Sequence, residues 1–271
     1  MDWTSARFAL DFALLNRETP QPTWWGNLGY WPGTEDYAHA AAALAGQVAE
    51  RAQLSDGDRL LDIGFGAGEQ LKLWVREYGV REIAGLEVSP AHLALARANT
   101  AGLPAGLDLR HGSAHDLGAW PTASFDVVLS LDSAYHYRTR WQFLAEAWRV
   151  LRPGGRLSMA DLVLGDGVSD VGAVVMRRLS PLGSLPAKNW VRQSEFAPRL
   201  EGLGFASVRV EDATEAVLLG FAGFAGRHAR RYFLRTPWRG WPKILLTGAG
   251  AAALVRWGWV RYVLVSATKP G

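Results

Sequence analysis

The stretch Leu60-Leu61-Asp62-Ile63-Gly64-Phe65-Gly66-Ala67-Gly68-Glu69-Gln70 decides how this chain is read. A short apolar strand, Arg59 to Ile63, runs into a glycine turn and then into a helix expected from about Glu69 to Tyr78. Gly64, Gly66 and Gly68 let the backbone turn sharply and come close to a ligand, because no Cβ intervenes. The helix behind them points its unpaired N–H groups at whatever lies above the turn. Further on, Glu87 closes a second apolar segment, Ile83-Ala84-Gly85-Leu86, and Val88 follows it. In a parallel sheet an acid in that place faces a ribose and can accept both hydroxyls. The ligand contacts expected here are Asp62, Gly64, Gly66, Gly68, Gln70, Glu87 and Val88.

The glycine spacing narrows the ligand. A dinucleotide fingerprint needs Gly-x-Gly-x-x-Gly, whereas this chain has Gly-x-Gly-x-Gly with an Asp just before it. A nicotinamide-dependent oxidoreductase is therefore disfavoured.

Composition sets the frame. The chain has 271 residues, 49% hydrophobic and 20% charged, enough for one sizeable core with elaborations. The formal charge of +3 is modest, so the location of the basic residues matters more than their excess. With no cysteine there is no disulfide, thiolate chemistry or Cys-type metal site. The six histidines show no spacing that would place metal ligands on one face. The start, with Asp2 and Asp11, lacks the basic and apolar regions of a signal peptide, so a cytoplasmic enzyme is expected. The longest apolar run, Ile244 to Val255, is too short to span a bilayer.

Along the chain, an aromatic N-terminal flap comes first, with a short helix around Ser5 to Leu15 and the loop Trp24 to Trp31. Tyr30 and Trp31 either close over a ligand or pack on the core. Thr34 to Gln53 reads as an alanine-rich helix with Ala41, Leu44, Val48 and Ala52 on its core face. Ser89-Pro90 opens a helix to about Thr100. Leu107 to His111 is a third strand, and the loop after it offers Ser113 and Ala114 to an adenine. Phe125 to Leu131 is a fourth strand, which brings Leu131 to the same edge. A helix from Thr139 to Leu151 breaks at Arg152-Pro153-Gly154-Gly155, and a fifth strand runs from Arg156 to Asp161. A helix at Ser194 to Leu203 and strands at Ala206 to Val210 and Tyr262 to Ala267 complete the order. Such alternation predicts an α/β doubly wound sheet.

Leu61 to Gly68, Ser124-Phe125-Asp126-Val127-Val128, Arg149 to Gly155 and the closing Tyr262 to Pro270 together resemble the Rossmann-like S-adenosylmethionine (SAM) dependent methyltransferases. The resemblance covers nearly the whole chain. It is strongest to natural-product methyltransferases of the sugar O-methyltransferase type. It implies a mostly parallel seven-stranded sheet with an antiparallel last strand, SAM as cofactor, and Tyr30 and Trp31 as the segment at the cofactor entry. It implies one domain over 1–271: flap and helix 1–54, cofactor core 55–165, and acceptor-lid insertions at 166–192 and 212–258. It also implies a catalytic pair, His136 after the fourth strand and Asp161 at the end of the fifth. Where the group often carries two adjacent histidines, this chain has Tyr135-His136.

Those residue types suit the chemistry. Methyl transfer from a sulfonium needs alignment above all, and a hydroxyl acceptor must lose its proton as it attacks. A histidine titrates near neutrality, and an aspartate in reach would orient it. Equally, a His between two tyrosines is often a packed residue, and an Asp at a strand end is often a cap.

From Gly226 to Thr268 there is no Asp or Glu, while Arg227, Arg230, Arg231, Arg235, Arg239, Lys243, Arg256 and Arg261 alternate with Trp238, Trp241, Trp257 and Trp259. Nucleic acid is one reading of that composition. It is disfavoured, because no Asn/Asp-Pro-Pro-Tyr motif follows strand four. A membrane surface, an anionic apolar acceptor or a solvated basic face fits as well. With Val171 to Leu185, the segment is expected to roof an apolar acceptor pocket. The expected activity is methylation of a hydrophobic small molecule at oxygen. Carbon methylation of an isoprenoid or lipid, and SAM binding without catalysis, are the alternatives.

Overall fold

Seven strands form one sheet in the order β3-β2-β1-β4-β5-β7-β6 in the computed structural model, which describes residues 12–19, 22–232 and 241–271. The strands are β1 Arg59–Ile63, β2 Glu82–Glu87, β3 Gly106–His111, β4 Phe125–Leu131, β5 Leu151–Leu164, β6 Ala206–Asp212 and β7 Val260–Thr268. The first five are parallel, and β7 runs antiparallel to both β5 and β6. The carboxyl ends of β1, β2 and β4 therefore lie along one edge, on either side of the point where the strand order reverses.

The helices are α1 Phe12–Leu15, α2 Tyr37–Arg51, α3 Glu69–Glu77, α4 Pro90–Asn99, α5 Arg140–Val150, α6 Asp170–Leu179, α7 Gln193–Gly202, α8 Gly220–Tyr232 and α9 Trp241–Arg256. Their starts follow local chemistry. Asp36 caps α2 by accepting from His39 N at 2.8 Å, and Ser89 caps α4 with Pro90 in its first turn. The core face expected for α2 is buried: Ala41, Leu44, Val48 and Ala52 have no exposed surface.

Side-chain alternation sends the central strands to two cores. Leu60, Val127, Leu129, Ala160 and Leu264 join α2, α3, α8 and α9, while Leu61, Ile63, Val128, Met159 and Val263 join α5 and α7. The central strands are buried on both faces, as a covered parallel sheet requires.

Strand β5 differs from expectation. It pairs from Leu151 onward, with residues 152–155 bulging opposite the Phe125/Val127 irregularity, and it runs on to Leu164. Asp161 is thus inside the ladder opposite Val263 and not at a strand end. The expected flap helix is described only from Phe12, and its earlier residues lie outside the described ones, as do Arg235, Trp238 and Arg239. No described helix is long and apolar enough to cross a membrane.

Candidate active site

The glycine turn adopts a backbone that only glycine takes easily. Gly64, Gly66 and Gly68 have φ of +78°, +57° and +89°. A Cβ on Gly64 would stand 2.6 Å from Ser133 Oγ, and one on Gly68 would stand 3.1 Å from Ala96 Cα. Above Gly66 the space is open, with Phe12 Cε2 nearest at 3.9 Å. No side chain caps the start of α3, so its N–H groups remain available to an anionic group. Glu87 faces the turn: its Oε2 accepts from Gly66 N at 3.0 Å and its Oε1 from Ser89 N at 2.9 Å. A carboxylate has further lone pairs, so it can still accept from a ribose.

Beside Glu87, Val88 is 51% exposed and its carbonyl accepts from His111 Nε2. Ser113 lies in the next loop with its hydroxyl 2.7 Å from His115 Nδ1, and Ala114 and Leu131 are buried nearby in the fold's two cores. Glycines, acid, apolar surface and a bare helix start form a cradle suited to a nucleoside carrying a charged tail.

Four expected contacts are used elsewhere. Asp62 points to the α3 side of β1 and is wholly buried, where both oxygens accept from Gln70 Nε2 at 2.9 Å and one accepts from Trp74 Nε1 at 2.7 Å. Asp62 and Gln70 therefore brace strand to helix, with their hydrogen bonds made to each other and to Trp74. Burial lifts the Asp62 carboxyl to about 6, against its two donors. Trp31 is a core residue: it stacks on Phe224 at 5.0 Å and donates to Leu28 O. Tyr30 lines a separate crevice of about 470 Å³ with Arg51, Thr214 and Arg261. Among the described flap residues, Phe12 reaches the turn, and its ring stacks on His92 at 4.9 Å.

The loop after β4 is tied to the turn. Ser133 and Tyr137 both donate to Ile63 O, and Ser130 joins their hydroxyls at 3.0 Å. Asp132, at φ +50°, accepts from Leu28 N, Tyr135 Oη and Tyr262 Oη at 2.7–2.8 Å. Burial raises its carboxyl above the usual range, opposed by those donors.

The His136 side chain is exposed, with protein atoms packed densely around it. That desolvation pulls its imidazole below the ordinary value, opposed by Ser184 O and Asp132. Its Nδ1 lies 3.0 Å from Ser184 O. A carbonyl only accepts, so Nδ1 carries the hydrogen and Nε2 keeps a lone pair in the neutral ring. Asn189 Nδ2 donates to the carbonyls on either side, Tyr135 O at 3.1 Å and Tyr137 O at 2.6 Å. The segment between α6 and α7 thus holds the histidine and its backbone.

Asp161 does not join His136. Alternation along β5 turns it toward α5, where it is buried against Arg140 at 2.8 Å and accepts from Leu162 N. Burial raises the carboxyl and Arg140 opposes that rise. Arg140 also donates to Leu162 O and Asn189 O. The pair is an internal strut, and the carboxylate that acts electrostatically on His136 is Asp132.

Sequence reasoning passed over Asp132, although an acid directly after an apolar strand was a visible signal. Ser184 acts through its carbonyl and Asn189 through a fold-dependent contact, and neither left one. Among the described residues no group of His, Asp and Glu is placed to hold a metal.

A family model described as a methyltransferase domain matches residues 61–159. The erythromycin 3''-O-methyltransferase of Saccharopolyspora erythraea is 35% identical over 222 residues, 79% of this chain and 72% of that one. The 27-O-demethylrifamycin SV methyltransferase of Amycolatopsis mediterranei is 37% identical over 148 residues, 52% of this chain and 53% of that one. The structure of the cyclopropane synthase MmaA2 from Mycobacterium tuberculosis superposes with a TM-score of 0.75 at 17% identity, over 94% of each chain, which shows the shared fold.

Proposed function

This chain belongs to the SAM-dependent methyltransferases, and on that premise we propose that it methylates a hydroxyl oxygen of an apolar small molecule of natural-product type, with His136 as general base. When bound, SAM supplies a methyl group on a sulfonium that is already activated for in-line displacement. The open space above Gly66, the Glu87 carboxylate and the uncapped start of α3 fit its nucleoside and its charged amino-acid tail. Gly64, Gly66, Gly68 and Glu87 would hold it, with Val88, Ser113, Ala114 and Leu131 around the adenosine.

The observation that carries the assignment is the His136–Ser184 hydrogen bond. It fixes the tautomer, so Nε2 is the atom able to take the hydroxyl proton as the oxygen attacks. Asp132 favours the imidazolium that results, since its charge raises the histidine's proton affinity. The names of the erythromycin and rifamycin relatives support oxygen as the acceptor atom.

The test is to incubate the protein with methyl-labelled SAM and an extract of its source organism, then partition the label. Label in the organic phase on an oxygen-linked methyl is expected. A methyl on carbon would replace this reading with the isoprenoid or lipid one, and label in nucleic acid or protein would overturn it.

A further inference from the structure

The geometry points to a membrane-docking face: the outward side of α9, with α6 beside it, fits the surface of an anionic lipid bilayer. Helix α9 buries Ile244, and its Gly248 approaches α8, where a Cβ would stand 2.9 Å from Ala225 Cβ. On the other side Leu246 is 72% exposed, and Trp257, just past the helix, is 65% exposed. Residues 246, 250, 253 and 257 follow helical spacing, so Leu246, Gly250, Ala253 and Trp257 share one stripe. Lys243 and Arg256 are exposed beside it.

A second exposed stripe lies on α6. On α6, Val171 is 75% and Val174 47% exposed, and the exposed Arg178 continues the same face. A tryptophan pair links the two helices: the Trp257 and Trp259 rings are 5.6 Å apart, and Trp259 Cε2 is 3.5 Å from where a Cβ on Gly172 of α6 would stand.

Charge selects the occupant. Residues 226 to 268 contain no Asp or Glu, and Asp170, next to Val171 in the chain, is paired with Arg192 at 2.8 Å. A second copy packed face to face would set Lys243 and Arg256 against their own kind. Nucleic acid would engage the cations but leave Leu246, Val171 and Val174 without an apolar partner. Exposed aliphatic side chains, a tryptophan at the boundary and flanking cations match an interfacial layer of anionic headgroups over acyl chains.

The test uses the full chain and sedimentation with vesicles of phosphatidylcholine and phosphatidylglycerol, against phosphatidylcholine alone. Binding to the anionic vesicles that weakens with salt is expected. Lys243→Glu with Arg256→Glu should lower partitioning by about an order of magnitude or more. Leu246→Glu with Trp257→Glu should abolish it, with SAM affinity and the thermal unfolding midpoint retained. No sedimentation at low salt, or binding equal on neutral vesicles and indifferent to these substitutions, would overturn the proposal. A concentration-dependent dimer in gel filtration that Leu246→Glu dissolves would instead assign the face to a second copy.

Discussion

His136 donates its Nδ1 hydrogen to the carbonyl oxygen of Ser184, 3.0 Å away and 48 positions along the chain. A backbone atom between α6 and α7 therefore sets the tautomer of the side chain proposed to take a proton. His136→Ala is expected to lower methyl transfer about a hundredfold or more, with SAM affinity unchanged. An unaltered turnover number would remove His136 from the mechanism.

The same residue sets a pH limb. Desolvation by the surrounding protein holds its imidazole below the ordinary 6.5, so the neutral, proton-accepting form persists into mildly acid solution. In a pH profile of kcat/KM the acid limb should lie below pH 6.5 and disappear from the residual activity of His136→Ala. A limb above 6.5 would contradict this desolvation.

Asn189 is expected to act through His136, because its amide holds the carbonyls on both sides of it. Asn189→Asp keeps the size but sets an acceptor against two acceptors, so turnover should fall about tenfold or more while SAM affinity holds. In the His136→Ala background the same change should have no further effect. Additive losses would reduce Asn189 to a general structural residue.

Glu87 should carry a large share of cofactor affinity. Hydrogen bonds to a charged acceptor contribute about 1.5–3 kcal/mol, so Glu87→Ala is expected to weaken SAM binding by one to two orders of magnitude. Calorimetric titration with S-adenosylhomocysteine would measure it, and a loss below threefold would take Glu87 off the ribose.

Asp62 predicts a pH dependence of stability. Its folded pKa, about 6, lies above the ordinary 3.8, so the folded state holds a proton that the unfolded state has lost. Stability from this group is therefore present below 3.8 and lost as pH rises through about 6, a span of roughly 3 kcal/mol at most. Asp62→Asn should flatten that part of the unfolding-midpoint curve between pH 4 and 6, and an unchanged curve would show that the burial penalty is offset elsewhere.

What the sequence determined by itself was local. Strand periodicity, the Gly64–Gly66–Gly68 turn, the Ser89-Pro90 cap and the acid at Glu87 each depend on neighbours within a few residues. Apart from β5, which begins earlier and runs on to Leu164, those elements stand where the residues put them, and the family motifs supply the strand order. What only the tertiary structure decided was which polar groups meet. Asp62 and Asp161 both looked available as acids at a sheet edge, but alternation along their strands turns one to Trp74 and the other to Arg140. Trp31 found Phe224 on a helix nearly the whole chain away, and His136 found Ser184 through a backbone carbonyl, an atom every residue carries. A buried polar group must find a partner, but side-chain type does not say which one. That choice belongs to the packing of the sheet against its helices.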